Sequence, residues 1–180
     1  MPPDRGPPRA RAVLFASLVC LACAAAPSTR AERWAAPGGA FTLDLPEGER
    51  WTAFDVPSSA LSSLPPGVSV TVRRTQDGDK VAVPVVCPDV GTRHVSDRAI
   101  EDVEKGLFQT FPLTKLSGER ATIQGRPAYR VLALLLDWGQ VAGVVVIEAG
   151  VAYVTMAYET DGDPLLDPEL ASFLESIRLP

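Results

Sequence analysis

The residue types able to do chemistry are sparse and scattered in this chain. His94 is the only histidine. Cys87, between Val86 and Pro88, is the only cysteine outside the N-terminal segment. A thiol and an imidazole can act as nucleophile and base when they meet in space. His94, however, sits in the polar stretch Gly91–Ser96 and reads as a solvated loop residue, while Cys87 reads as a small buried hydrophobe in an apolar strand. No Gly-x-Ser-x-Gly elbow accompanies them, and the sequence assigns no catalytic residue. Glu159, Asp161, Asp163, Asp167 and Glu169 form an acidic run whose alternate spacing could ligate calcium. Gly162 is misplaced for an EF-hand loop and no bidentate Glu follows at the required distance. A solvated loop and a helix cap account for all five, so no metal ligand and no cofactor is assigned. Arg73-Arg74 and Arg93 with Arg98 read as surface ion-pair partners rather than an anion site. Trp34, Trp51 and Trp138 would mark a binding patch only if two were exposed together.

The elements that would position these residues follow from hydrophobic patterning. Phe41-Thr42-Leu43-Asp44-Leu45 alternates as a half-buried strand, ended by Pro46-Glu47-Gly48. Residues 57–67 hold Pro57, Pro65, Pro66 and Gly67 and read as loop. Val68, Val70 and Val72 share one face of a strand, and Val81, Val83 and Val85 share one face of its return. Asp77-Gly78 supplies the turn between them. Ser96 caps a helix over 97–111 with Ile100, Val103, Leu107 and Phe111 on one stripe. Residues 119–124 read as a short mixed strand. Then 128–136, 141–147 and 151–158 are near-continuous hydrophobe. Such short connections require antiparallel neighbours, and apolar character on both faces requires cover on both. Asp167-Pro168 opens a last helix with Leu170, Phe173, Leu174 and Ile177 inward.

The N-terminus predicts export. Arg5, Arg9 and Arg11 precede an uncharged 15-residue run, Ala12–Ala26, of signal-peptide length and shorter than the ~20 residues that span a bilayer. Ala22, Ala24 and Ala26 suit signal peptidase. Pro27 disfavours cleavage after Ala26, so Ala24 and Ala31 are alternatives. Leu21-Ala22-Cys23 also ends like a lipobox, with Cys20 where the motif prefers Leu. Cys23 is therefore a candidate lipidation site, and secretion, lipidation and an uncleaved anchor stay open. The division read is 1–26 leader, 27–39 tether and 40–180 a single domain. Of the net charge of −5 in 180 residues, the leader contributes +2 (three arginines against Asp4), which leaves −7. That balance argues against nucleic acid and against electrostatic attraction to anionic lipid.

The opening Phe41–Gly48 with Trp51, Gly125-Arg126-Pro127-Ala128-Tyr129, Gly150-Val151-Ala152-Tyr153-Val154 and the closing Phe173-Leu174-Glu175-Ser176-Ile177 form a pattern over most of 40–180. It resembles the PsbP-like group of small α+β domains, which includes the DcrB-like bacterial lipoproteins. The resemblance implies an antiparallel sheet of about six strands packed with two helices, here preceded by a signal helix. It implies a non-catalytic accessory or binding role and carries over no functional residue. The expectation is an exported binding module of the bacterial periplasm or envelope, acting on a protein partner, with membrane contact only through a lipid anchor or uncleaved leader. The alternatives are an envelope hydrolase or thiol enzyme using Cys87 and His94, and a small-molecule carrier with a pocket between the sheet and the 97–111 helix.

Overall fold

The computed structural model describes residues 33–179 except 38–40, 47, 49, 63, 89, 111, 112, 137 and 138, with side chains at 60 and 106–110 also outside the described set. The leader, with Cys23, lies outside the described residues. No helix among the described residues is long and apolar enough to cross a membrane.

In chain order the elements are β1 (Arg33–Ala35), β2 (Thr42–Asp44), β3 (Trp51–Phe54), α1 (Ser58–Leu61), β4 (Ser69–Val70), β5 (Val72–Thr75), β6 (Lys80–Cys87), α2 (Asp97–Thr110), β7 (Leu113–Ile123), β8 (Arg126–Leu135), β9 (Gln140–Glu148), β10 (Val151–Glu159) and α3 (Pro168–Glu175). The main sheet is antiparallel with the order β3-β5-β6-β10-β9-β8-β7, and β4 also pairs with β6. It has eight strands rather than about six. Two short pieces explain the difference. Trp51–Phe54 forms an edge strand too brief to show a period. The Val68–Val72 arm is split at Thr71, which lies opposite Pro84: Thr71 N donates to Pro84 O at 3.2 Å, and proline has no N–H to return the bond. The alternating 41–45 segment belongs to a separate pair, β1 with β2. β1 falls in the stretch expected as tether, and Trp34 holds it there by donating Nε1–H to Thr71 Oγ1 at 2.9 Å. The described residues of 57–67 are loop apart from the single turn α1.

The sheet is covered on both faces, as the continuous strands require. β9 is buried at every position from Val141 to Ile147. On the first face Ala128, Ala142, Val144, Val146 and Tyr153 meet Phe41 and Leu43 of the small sheet region and Leu170, Phe173, Leu174 and Ile177 at α3. Phe41 stacks on Tyr153 with ring centroids 4.6 Å apart. On the second face Tyr129, Val131, Val145 and Ile147 meet Val95, Ala99, Ile100 and Val103 at α2. Val72, Val81, Leu135, Val141 and Tyr158 form a separate cluster on that face with Phe54 and Val56. Asp167 caps α3 as its sequence predicts: Oδ1 accepts from Glu169 N at 3.1 Å and Leu170 N at 2.9 Å, with Pro at the first helical position.

Candidate binding surface

β7 is the last strand of the sheet, so one of its edges pairs with β8 and the other with no described strand. The sequence predicts a short strand over 119–124, whereas β7 runs eleven residues from Leu113. Every residue from Thr114 to Arg120 is exposed. Neither face of this half of the strand is buried, so no alternation of apolar residues announces it. The register with β8 shifts between Lys115 and Ser117. Leu116 sits in that bulge, 48% exposed. A bulge and charged side chains are the usual protections of an exposed edge. A large apolar side chain turned into water on it is not.

Each flank of β7 is braced by a helix. On the second face Tyr129 Oη and Lys115 Nζ both donate to Glu104 Oε1 of α2. Arg120 of β7 donates to Asp97 at the start of the same helix. The Lys115 and Tyr129 hydrogen bonds hold the Glu104 carboxyl below its ordinary range, and Glu104 raises Lys115. Burial, with the bond to Glu104, pushes the Tyr129 phenol up. Gly118 makes room for this arrangement: a Cβ there would stand 1.9 Å from Tyr129 Oη. On the first face Arg130 of β8 lies between two carboxylates, Glu119 of β7 at 3.3 Å and Glu175 of α3 at 3.6 Å. These three charges rim a cleft of about 110 Å³ that is lined further by Leu165, Ala171 and Leu174. An apolar-floored notch thus opens beside a strand whose outer edge pairs with no described strand. Chemically the arrangement offers backbone hydrogen bonds and a small side-chain socket.

The residues singled out for chemistry do not come together. Cys87 is half-buried on β6 among Val90, Ile100 and Val103, and burial raises its thiol pKa. His94 is exposed in the loop before α2, where its carbonyl accepts from Thr92 Oγ1 at 3.1 Å. No described hydrogen bond joins the two. In the acidic run Asp163 turns its own loop by accepting from Leu165 N at 2.8 Å. Glu159, Asp167 and Glu169 converge on Lys80 Nζ: Asp167 forms the close ion pair, with Glu159 at 3.8 Å and Glu169 at 3.7 Å. The lysine supplies the positive charge that fixes the start of α3. Burial raises Glu159, and the nearby Asp167 carboxylate adds to it. Burial also opposes ionisation of Asp167, yet the Lys80 hydrogen bond and the helix N–H groups bring it below its ordinary value.

Trp51 is buried and Trp34 half-buried, while Trp138 lies outside the described residues. Arg93 and Arg98 are exposed, but among the described residues neither forms the expected ion pair. Arg74 is buried, 3% exposed. The expectation of a surface ion pair fails there because Arg74 continues the inward alternation of Val70 and Val72.

No protein-family model matches the sequence, and no curated protein matches it. The fold has clear counterparts among solved structures. Cyanobacterial PsbP (CyanoP) from Synechocystis sp. PCC 6803 superposes with a TM-score of 0.57 at 15% identity, over 88% of this chain and 97% of that one. The chain has the PsbP-like fold. Mog1p, a Ran-binding protein of Saccharomyces cerevisiae, shares the PsbP-like architecture with a TM-score of 0.50 at 14% identity, over 84% of this chain and 96% of Mog1p. At these identities the likeness is one of PsbP-like fold, and the β7 surface is read from this chain's own residues.

Proposed function

We propose that this chain is an exported, non-enzymatic accessory module that recognises a protein partner in the cell envelope through the β7 edge. The observation that carries the proposal is β7 itself: a strand with one edge that no described strand pairs, exposed from Thr114 to Arg120, with Leu116 bulged into water. An extended partner segment added along it would gain main-chain hydrogen bonds. Its side chains on the first face would meet the cleft beside Arg130. The Ran-binding neighbour supports the reading at the level of fold, since it is a case of protein recognition on the same architecture. Export rests on the leader at 1–26, and a membrane anchor rests on Cys23.

The thiol-enzyme alternative draws no support from Cys87 and His94, which share no described contact. For the carrier alternative, the described cleft lies on the face opposite α2.

The proposal is tested by Leu116→Glu. An exposed bulge residue tolerates the change within ~0.5 kcal/mol of stability, while partner capture from the envelope weakens at least tenfold. Undiminished capture would remove β7 from the interface. The anchor is tested separately by intact mass: a diacylglyceryl adduct at Cys23 that disappears in Cys23→Ser supports it, and a mature N-terminus at Ala25 or beyond excludes it.

A further inference from the structure

The second face of the sheet holds a charge that the fold does not answer. Arg74 lies on β5, one strand in from the β3 edge, between Thr52 and Val81 in register. It is 3% exposed. Its Nε and Nη1 are buried and have no hydrogen-bond partner. The guanidinium carbon stands 6.0 Å from the centre of the Phe54 ring. Among the described residues no carboxylate lies within ion-pair distance of it. Its sheet neighbours on that face are Val72, Val81 and Phe54, which are apolar, and Thr52, whose hydroxyl donates to the Arg74 carbonyl at 3.4 Å and leaves the guanidinium unmatched.

A guanidinium is a permanent positive charge with donors only and no acceptor. A ring face offsets part of the cost of such a charge, but it offers nothing to two N–H donors. Buried guanidinium groups are ordinarily matched by an oxyanion that accepts from them. Nε and Nη1 lie on different edges of the planar group, so each edge retains an unused donor. The surroundings also suit a visiting ligand. β3 is only four residues long and forms the sheet's end. In the chain leaving it, Asp55, Ser58, Ser59, Leu61, Ser62 and Pro65–Gly67 are exposed, while Val56 packs against the cluster that holds Val72 and Val81.

We infer that Arg74 is the anchor of a binding site for a small oxyanion, a carboxylate or phosphate group, on the face that carries α2 and at its β3 end. The site is independent of the β7 surface, which lies at the opposite end of the sheet. Phe54 covers the guanidinium, and the oxyanion accepts from the donors left unused. Binding satisfies the buried charge, so occupancy stabilises the folded state.

The test uses the processed protein purified from its own cells. Thermal unfolding is followed during titration with inorganic phosphate and, in a second arm, with succinate, against sodium chloride at matched ionic strength. The site predicts a rise in Tm of several degrees with phosphate, succinate or both, and none with chloride. The arm that responds identifies the oxyanion. The rise disappears in Arg74→Met. Should that variant fail to fold, the Nε–H resonance of Arg74 in the unaltered protein gives the answer, because it shifts saturably with the active anion. A Tm that ignores both anions, an equal response in Arg74→Met, or an Nε–H resonance that does not move would each overturn the inference.

Discussion

Gly118→Ala tests how β7 is held against α2. An added Cβ would lie 1.9 Å from Tyr129 Oη, 2.9 Å from Tyr129 Cζ and 2.8 Å from Lys115 Cε. Lys115 can swing aside, but Tyr129 is a ring buried in the α2 cluster. Restoring an ordinary contact of about 3.4 Å moves the hydroxyl by roughly 1.5 Å, more than its bond to Glu104 can absorb. Loss of a hydrogen bond to a charged group costs about 1.5–3 kcal/mol, and the low end applies because Glu104 is partly exposed. Forced repacking adds about 1–3 kcal/mol. Alanine regains about 0.5–1 kcal/mol of the backbone entropy that glycine loses in a strand. The net expectation is destabilisation by about 2–3 kcal/mol in urea unfolding at pH 7, with an unchanged m value. In Tyr129→Phe the hydroxyl and its bond to Glu104 are gone and only the 2.9 Å approach to Cζ remains, so the same substitution should cost clearly less, and the difference is the coupling. Absorbance titration gives a second reading: the phenol freed from Glu104 ionises at lower pH than in the unaltered protein. A Gly118→Ala cost below about 0.5 kcal/mol, or one equal in both backgrounds, would refute the proposed brace.

Four further outcomes follow from the other clusters. Asp167→Ala removes the α3 cap and the closest partner of Lys80, and should cost about 2 kcal/mol; Asp167→Asn keeps the capping acceptor and recovers part of this by the same unfolding assay. Because the folded pKa of Asp167 is depressed, its stabilisation is present above the unfolded carboxylate value of about 3.9. It is lost as pH falls through the folded value, so the cost of Asp167→Asn shrinks in acid. Glu159 behaves oppositely: its folded pKa is raised, so ionisation opposes folding at neutral pH, and Glu159→Gln should stabilise at pH 7 with the gain vanishing below the unfolded carboxylate pKa. For Cys87, raised by burial, reaction with a maleimide at pH 8 should be much slower than that of a free cysteine. The Cys87→Ala, His94→Ala double variant should retain partner capture, and its loss would revive a thiol chemistry.

The elements that sequence reveals are those buried on two faces or closed by a specific cap. Val141–Ile147 reads as a strand because packing demands apolar residues at every position, and Asp167-Pro168 reads as a helix start because side chain and ring each serve a backbone need. The Gln124-Gly125 corner between β7 and β8 shows itself only in the structure, where both residues adopt positive φ, 50° and 79°, as a tight hairpin turn requires. The second half of β7 is read as the short strand over 119–124, but its first half, Leu113–Gly118, escapes because an edge strand exposed on both faces carries no period. Only its pairing with β8 makes it a strand, and that pairing is invisible until the sheet is assembled. The brace at Glu104, Lys115 and Tyr129 joins three separate elements, so no local spacing encodes it. Arg74 is different. Its place two residues beyond Val72 puts it on the inward face, and that alternation is a readable signal. The pairing of two arginines in sequence masks it, since adjacent strand residues point to opposite faces.

The recognition role proposed for β7 is tested most directly by mapping what touches it in the native cell. A photo-crosslinking residue is placed in turn at Thr114, Leu116 and Thr122 on β7, and at Ser59 in α1 as a control. Strand addition predicts that the three β7 adducts fall on one contiguous segment of one partner, in linear order along it, and that Ser59 yields no adduct with that segment. Adducts that scatter over unrelated segments, or that arise from Ser59 and not from β7, would contradict it.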